Sequence, residues 1–173
     1  MKENHRLPSA FFQREVTEVA PEMLGKILVR KFDDGSVQKY TITEVEAYRG
    51  RDDKACHANK GMTPRTEVMF REGGLVYVYL IYGMYWMLNI VTGKLNDASA
   101  VLIRGIEEIH GPGRVGKALQ LDKSFYGTDL SRSDRIWIED TDTKVTYKAV
   151  PRVGIDYAGE PWISIPWRFI LEK

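Results

Sequence analysis

A chain of 173 residues, 43% hydrophobic and 28% charged, has the length of one domain with its own core and a composition that excludes disorder. Its one cysteine, Cys56, cannot close an intramolecular disulfide, which points to a reducing, cytoplasmic setting, and the mixed-charge start at residues 1–8 lacks the apolar segment of a signal peptide. The net charge of +1 argues against a strongly basic nucleic-acid binder, but it does not report how charge is distributed.

No internal repeat, low-complexity tract or linker divides the chain, so residues 1–173 are expected to form one domain. Residues 17–25 read as a short helix with Thr17 as its cap, acids in its first turn and Gly25 at its end. Residues 26–32 alternate as a strand, Asp33-Asp34-Gly35-Ser36 is turn chemistry, and residues 37–48 continue as a second strand, completing a hairpin. Residues 49–74 hold few apolar positions and read as a long surface loop, of a length that tends to be functional. The apolar run 75–91 is shorter than the roughly 20 residues of a membrane helix. Its Val, Tyr and Ile content favours two strands meeting at Tyr82-Gly83-Met84. Residues 98–107 read as another strand, Gly111-Pro112-Gly113 as a turn opening a helix at 114–121, and 136–138 and 145–150 as shorter strands. The expected fold is α+β, a mostly antiparallel curved β-sheet with peripheral helices.

On the strand 37–48, Glu44 and Glu46 point to one side with Tyr48, opposite Thr41, Thr43, Val45 and Ala47. That side is either a solvated strand face or the seat of one carboxylate desolvated by aromatics and able to act as a general base; alternation does not say which glutamate it would be. Tyr77 and Tyr79 share a face, as tyrosines of a core or rim ordinarily do, and Tyr79 beside Tyr48 would also suit stacking on a base. Tyr82, near the turn, has the geometry of a wedge that enters a base step. His57 alone reads as a surface histidine. His5, Cys56, His57 and His110 have no zinc spacing, and the H-x-E with P-C-x-x-C signature of zinc deaminases is absent, so no metal is expected. Residues 111–117 lack the Gly-Lys-Ser/Thr ending of a nucleotide-triphosphate loop. Amides there, with Arg114 and Lys117, would suit a DNA phosphate, or form a plain turn and helix start.

Several stretches occur together and in order: Glu44-Val45-Glu46-Ala47-Tyr48, Thr63-Pro64-Arg65, Val68-Met69-Phe70, the run 75–85, Leu88-Asn89-Ile90 and Val101-Leu102-Ile103-Arg104. They are followed by Gly111-Pro112-Gly113, Lys123-Ser124-Phe125, Pro151-Arg152-Val153-Gly154-Ile155 and Pro166-Trp167-Arg168-Phe169. With this set the chain resembles the alkyladenine (3-methyladenine) DNA glycosylase family from about Leu24 to its end. The resemblance implies a protruding, DNA-intercalating β-hairpin and a monofunctional glycosylase of base-excision repair. Such an enzyme flips 3-methyladenine, 7-methylguanine, hypoxanthine or ethenoadenine out of duplex DNA and hydrolyses the N-glycosidic bond, leaving an abasic site. It implies Glu46 as the general base and Arg104 as its partner in holding the water. Tyr48, His57 and Tyr79 become the walls of the base pocket, with the histidine also hydrogen-bonding the flipped base, and Asn89 the discriminator against the amino group of normal guanine. Tyr82 becomes the intercalating residue and Met84 its neighbour. Apart from the resemblance, Arg65, Arg114 and Lys117 are candidate phosphate contacts. The partner implied is double-stranded DNA carrying damaged purines, bound by a monomer without cofactor, metal or membrane. Electron-rich Tyr48 and Tyr79 would favour a cationic alkylated purine by roughly 0.5–2 kcal/mol.

Departures from the family pattern are a two-residue insertion between Asn89 and Arg104, in the turn 93–97, which should leave strand pairing intact, and the side chains at Trp86-Met87 and Val115-Gly116. The basic N-terminal extension of vertebrate members is not seen, from which weaker non-specific DNA affinity is expected. Two other readings stay open: a non-catalytic damaged-DNA-binding module, which needs Tyr82 but not Glu46, and a hydrolase of free nucleosides, which needs no wedge.

Overall fold

A computed structural model of the chain describes residues 5–173; the first part of the mixed-charge start, residues 1–4, lies outside the described residues. Among the described residues, strands β1 (Ile27–Lys31), β2 (Val37–Tyr48), β3 (Val76–Ile81), β4 (Tyr85–Thr92), β5 (Ser99–Ile106), β6 (Ile109–His110), β7 (Ile136–Glu139), β8 (Tyr147–Val150) and β9 (Arg168–Leu171) form one nine-stranded sheet. The pairings are antiparallel throughout. With short helices α1 (Ser9–Phe12), α2 (Val16–Met23) and α3 (Pro112–Ala118) this is the α+β fold expected. No helix among the described residues is long and apolar enough to cross a membrane.

The sheet is organised by β2. One edge of this long strand pairs with β5; the other pairs with β1 over its first half and with β9 at Glu44–Glu46. Near its C-terminal end the strand is paired on both edges, and Val45, Glu46 and Ala47 are all fully buried. Helix α2 covers β2 and β5 because Val16, Val19, Ala20 and Met23, spaced as one helical stripe, are buried together. Each large side chain sequestered this way contributes about 1.5–3 kcal/mol. Thr17 does not cap the helix as expected: it lies one residue inside, with Glu15 at the N-cap and no side-chain cap bond.

The expectation of a surface loop at residues 49–74 is corrected. The segment folds as three 3-10 turns, Gly50–Asp52, His57–Lys60 and Glu67–Phe70. Ala58, Val68, Met69 and Phe70 pack with Tyr77, Val91 and Ala100 into a second apolar cluster. Its apolar residues have neither helical nor strand period, which is why the sequence reads as loop.

Strands β3 and β4 form the hairpin expected from the apolar run, with Tyr77 opposite Asn89 and Tyr79 opposite Met87. At its tip Tyr82 and Gly83 both have positive φ (52° and 65°), and the Met84 N–H donates to the Ile81 carbonyl over 3.1 Å. This is the turn handedness that matches strand twist. Helix α3 starts at Pro112 and ends at Ala118, two residues ahead of the expected start, because Pro112 suits the first helical position. It lies against β4 so closely that a Cβ on Gly116 would sit 1.8 Å from the Trp86 carbonyl oxygen. The glycine is what permits this packing, which accounts for Gly116 in the pair Val115-Gly116. The turn 93–97 leaves β4 and β5 paired from Asn89–Leu102 to Thr92–Ser99.

Candidate active site

A cavity of about 730 Å³ opens between the end of β2, the hairpin and the segments 55–57 and 153–157. Its size is in the usual range for a small-molecule or cofactor site. Glu46, Tyr48, His57, Arg65, Tyr79, Tyr82, Asn89 and Arg104, eight of the residues singled out in the sequence, all line it. Met84 lies outside the lining, at the exposed hairpin tip (65% exposed). Arg114 and Lys117 are exposed on α3, also outside it.

Glu46 is the innermost acid, fully buried at 0% exposure. Its Oε2 accepts the Val153 backbone N–H at 2.7 Å; its Oε1 accepts the Tyr48 hydroxyl at 2.9 Å and lies 3.5 Å from Arg104 Nη1. A carboxylate offers about four acceptor sites, so these contacts leave one of them unclaimed. Burial pushes the Glu46 carboxyl above its ordinary range, opposed by Arg104, the Val153 N–H and the Tyr48 hydroxyl. The group is thereby made more basic than a surface carboxylate while its charged form stays solvated by fixed donors.

Glu44, on the same side of β2, is not buried away. Its Oε2 receives Arg104 Nε at 3.0 Å and its Oε1 lies 3.6 Å from Arg168 Nη1. Which of the two glutamates is buried depends on the 151–155 segment, which delivers the Val153 amide over Glu46. Alternation along β2 carries no information about that segment.

The aromatic walls come from three elements. Burial raises the hydroxyl pKa of Tyr48 and of Tyr79, and of Tyr77 to about 12, so all three remain neutral phenols. His57 packs edge-on to Tyr79, ring centroids 4.6 Å apart, and its Nδ1 lies 3.0 Å from the Tyr77 hydroxyl. Burial, aided by the Arg65 charge, lowers its pKa to about 4. The imidazole is therefore neutral at physiological pH, with Nδ1 committed to Tyr77 and Nε2 left over. Asn89 is buried, and its Nδ2 donates to the carbonyls of Tyr77 (3.2 Å) and Met87 (3.5 Å). Those two acceptors fix the orientation of the amide.

The two tyrosines expected to stack on a base already carry a guanidinium: Arg152 lies 4.8 Å from the Tyr48 ring centroid and Arg65 4.9 Å from that of Tyr79. Cationic charge is thus present at each ring before any ligand arrives, which reduces the extra attraction that free aromatic faces would give a cationic purine.

Sequence reasoning missed Asp53 and the backbone of Val153, and assigned no role to Arg152. The Arg152 guanidinium is bidentate on Asp53 (2.6 and 3.0 Å) and donates to the Ala47 carbonyl (3.0 Å). The side chains of both ion-pair partners are at 0% exposure. This pair ties the segment carrying His57 to the segment carrying Val153. A motif of charged residues nearly a hundred positions apart has no local signature; the match at residues 151–155 was the one available hint. Among the described residues no group of three or more His, Cys, Asp or Glu is gathered to hold a metal ion.

Chemically, a desolvated carboxylate with spare acceptor capacity at the end of a tyrosine-lined recess can take up a proton beside a flat ligand held against the rings. Residues 10–111 and 107–173 match the family model of methylpurine-DNA glycosylase (MPG), and the chain belongs to that family, whose members are hydrolases acting on N-glycosyl bonds. Among its relatives, a protein of Methanocella arvoryzae is 43% identical over 94% of this chain and 90% of its own length. One of Legionella pneumophila (strain Corby) is 44% identical over 96% and 94%, and one of Sodalis glossinidius 43% identical over 98% of both. All three are provisionally named 3-methyladenine DNA glycosylases.

Proposed function

We propose that this protein is a monofunctional DNA glycosylase of base-excision repair, acting as a cytoplasmic monomer and single domain, that extrudes damaged purines from duplex DNA and hydrolyses their N-glycosidic bond with water activated by Glu46. The observation that carries the reading is the fully buried Glu46 carboxylate facing a recess walled by Tyr48, Tyr79 and His57. Water accepted into the remaining site on Glu46 gives up its proton to the carboxylate as it attacks the sugar. The carboxylate's charge also stabilises the glycosyl cation that develops as the purine departs with the bonding electron pair; a ring-alkylated purine leaves neutral, whereas hypoxanthine and ethenoadenine need a proton donated to the ring. Arg104 holds the other side of that water. The product is an abasic site with an intact strand, formed without metal or cofactor.

Selection comes from several modest terms. Damaged pairs are cheaper to flip. The rigid Asn89 amide crowds the exocyclic amino group of normal guanine. His57, neutral at working pH, offers its free nitrogen to the ring edge of an extruded base. Tyr82, 85% exposed at the hairpin tip, fills the gap left in the stack, which offsets part of an unstacking cost of a few kcal/mol. Arg65, Arg114 and Lys117 contact phosphates. Substrates include 3-methyladenine, 7-methylguanine, hypoxanthine and ethenoadenine.

The test is to incubate purified protein with duplexes carrying one hypoxanthine or one methylated purine, and separately with the free nucleosides. Released base together with strand breaks that need alkali is the expected result. Tight lesion-selective binding without base release would establish the binding module instead, and release from nucleosides alone would establish the nucleoside hydrolase.

A further inference from the structure

Arg104 is the extra residue of a bulge. Glu44 pairs with Gly105 and Val45 with Ile103, so Arg104 has no partner of its own across β2. A bulged residue is re-aimed relative to the regular alternation, and here the result is a guanidinium lying between two carboxylates. Its Nε is 3.0 Å from Glu44 Oε2, and its Nη1 is 3.5 Å from Glu46 Oε1. The shorter contact is therefore to the glutamate that does not face the recess. Glu44 is itself steadied on its other oxygen by Arg168 Nη1 at 3.6 Å, and Arg168 is fixed by donating from Nε to the Pro151 carbonyl (2.8 Å).

We infer that Glu44 is a positioning residue for the reaction: it anchors Arg104 by Nε, so that the guanidinium presents its outer nitrogen to Glu46 and the attacking water and does not close on Glu46 as a full ion pair. The inference rests on the reading of Glu46 as the general base. A guanidinium free to collapse onto Glu46 would fill the acceptor site that water needs, and its undivided charge would make the carboxylate a weaker base. Glu44 prevents both by holding the arginine from behind and by sharing its charge. The charged and titratable groups around Glu46 are Arg104 from β5, Tyr48 from β2, Arg152 and Tyr157 from the C-terminal segment, and Tyr79 from β3. Arg168 from β9 faces Glu44. Among the carboxylates in contact with Arg104, Glu44 is the one lying outside the recess lining.

The experiment is the pH dependence of single-turnover base release from a hypoxanthine duplex, measured for wild type, Glu44→Gln and Glu44→Ala, with duplex affinity and melting temperature recorded for each. Gln keeps an acceptor for Arg104 Nε but removes the charge. Its plateau rate is expected to stay within about threefold of wild type while the acid limb moves down by about 0.5–1 pH unit, since Arg104 and Arg168 then act undiluted on Glu46. Ala removes the anchor, and the plateau is expected to fall by about 10- to 100-fold with duplex affinity held within about threefold. An acid limb unmoved in Glu44→Gln overturns the inference, whatever the Ala variant does. So does a loss that tracks melting temperature and duplex affinity alone. Glu46→Gln, run alongside, separates this from the underlying reading: if that variant releases base normally, the general-base assignment fails, whereas an inactive Glu46→Gln with unaltered Glu44 variants removes only the role of Glu44.

Discussion

Replacing Asp53 by asparagine is expected to be the most destabilising conservative change near the site. Asp53 meets Arg152 through two hydrogen bonds at 2.6 and 3.0 Å and also accepts the backbone N–H groups of Arg49 and Ala55, each at 3.0 Å. Asparagine removes the charge and turns one of the two acceptors into a donor facing donors. A guanidinium at 0% exposure, whose Nε already has no hydrogen-bond partner among the described residues, loses its counter-charge. Breaking one side of such a pair costs about 3–5 kcal/mol, a large part of the 5–15 kcal/mol that holds a typical domain folded. For a chain of this size each kcal/mol is worth roughly 2–4 °C, so Tm should fall by about 6–20 °C in a thermal melt followed by circular dichroism. Urea denaturation should show the same loss with an unchanged m-value. The double variant Asp53→Asn with Arg152→Met removes the orphaned charge and should lose less than the two single changes summed. A single-variant loss below about 1 kcal/mol, or strict additivity in the double variant, would refute the claim that the pair is dry and coupled.

Three further outcomes follow from particular residues. Tyr82→Gly relieves a positive φ in a non-glycine residue and should raise stability by about 0.5–1 kcal/mol while lowering base release from duplex more than from single strands; equal losses on both would remove Tyr82 as the wedge. Gly116→Ala would drive a Cβ into the Trp86 carbonyl and should destabilise by about 1–3 kcal/mol or more, measured by urea denaturation; a neutral result would mean that α3 does not sit on β4 as described. For His57 the folded pKa is lowered to about 4, below the ordinary value near 6.5. Between those values the unfolded chain binds a proton that the fold rejects, so stability is fully present above about pH 6.5 and is lost as pH falls towards 4. The slope is at most about 1.4 kcal/mol per pH unit, less here because the ring is partly exposed. His57→Gln should flatten the stability profile between pH 6.5 and 4.5, and an unchanged profile would mean the histidine is not held neutral.

Much of this architecture is legible in the amino-acid order because its physics is local. The turn residues at 33–36, the break at Tyr82-Gly83-Met84 and the β-rich runs beside them announce two hairpins, and both form with the expected partners. Glu46, Tyr48, Tyr79, Tyr82 and Asn89 lie on those hairpins and converge on one cavity, where Arg104 from β5 and His57 and Arg65 from the segment 49–74 join them. What could not be read is contact made at long range or by groups without residue identity. The apolar residues of 49–74 have no period, so their burial against Tyr77 and Val91 was invisible. Strand β9 spans four residues after a proline-containing stretch and gains its conformation by pairing with β2 and β8. Val153 contributes through its backbone N–H, which any residue but proline would supply. The bulge at Arg104 arises from a register shift between two strands, a property of their pairing rather than of either sequence.

The proposed reaction turns on Glu46. Single-turnover base release from a hypoxanthine duplex by wild type and by Glu46→Gln, with duplex affinity measured in parallel, tests it most directly. Glutamine fits the same space, accepting the Val153 N–H and donating to the Tyr48 oxygen. Affinity is therefore expected to stay within about threefold while base release falls by about 10²–10⁴-fold. A Glu46→Gln protein that binds normally and releases base at the wild-type rate would contradict the assignment of that carboxylate as the base that activates water.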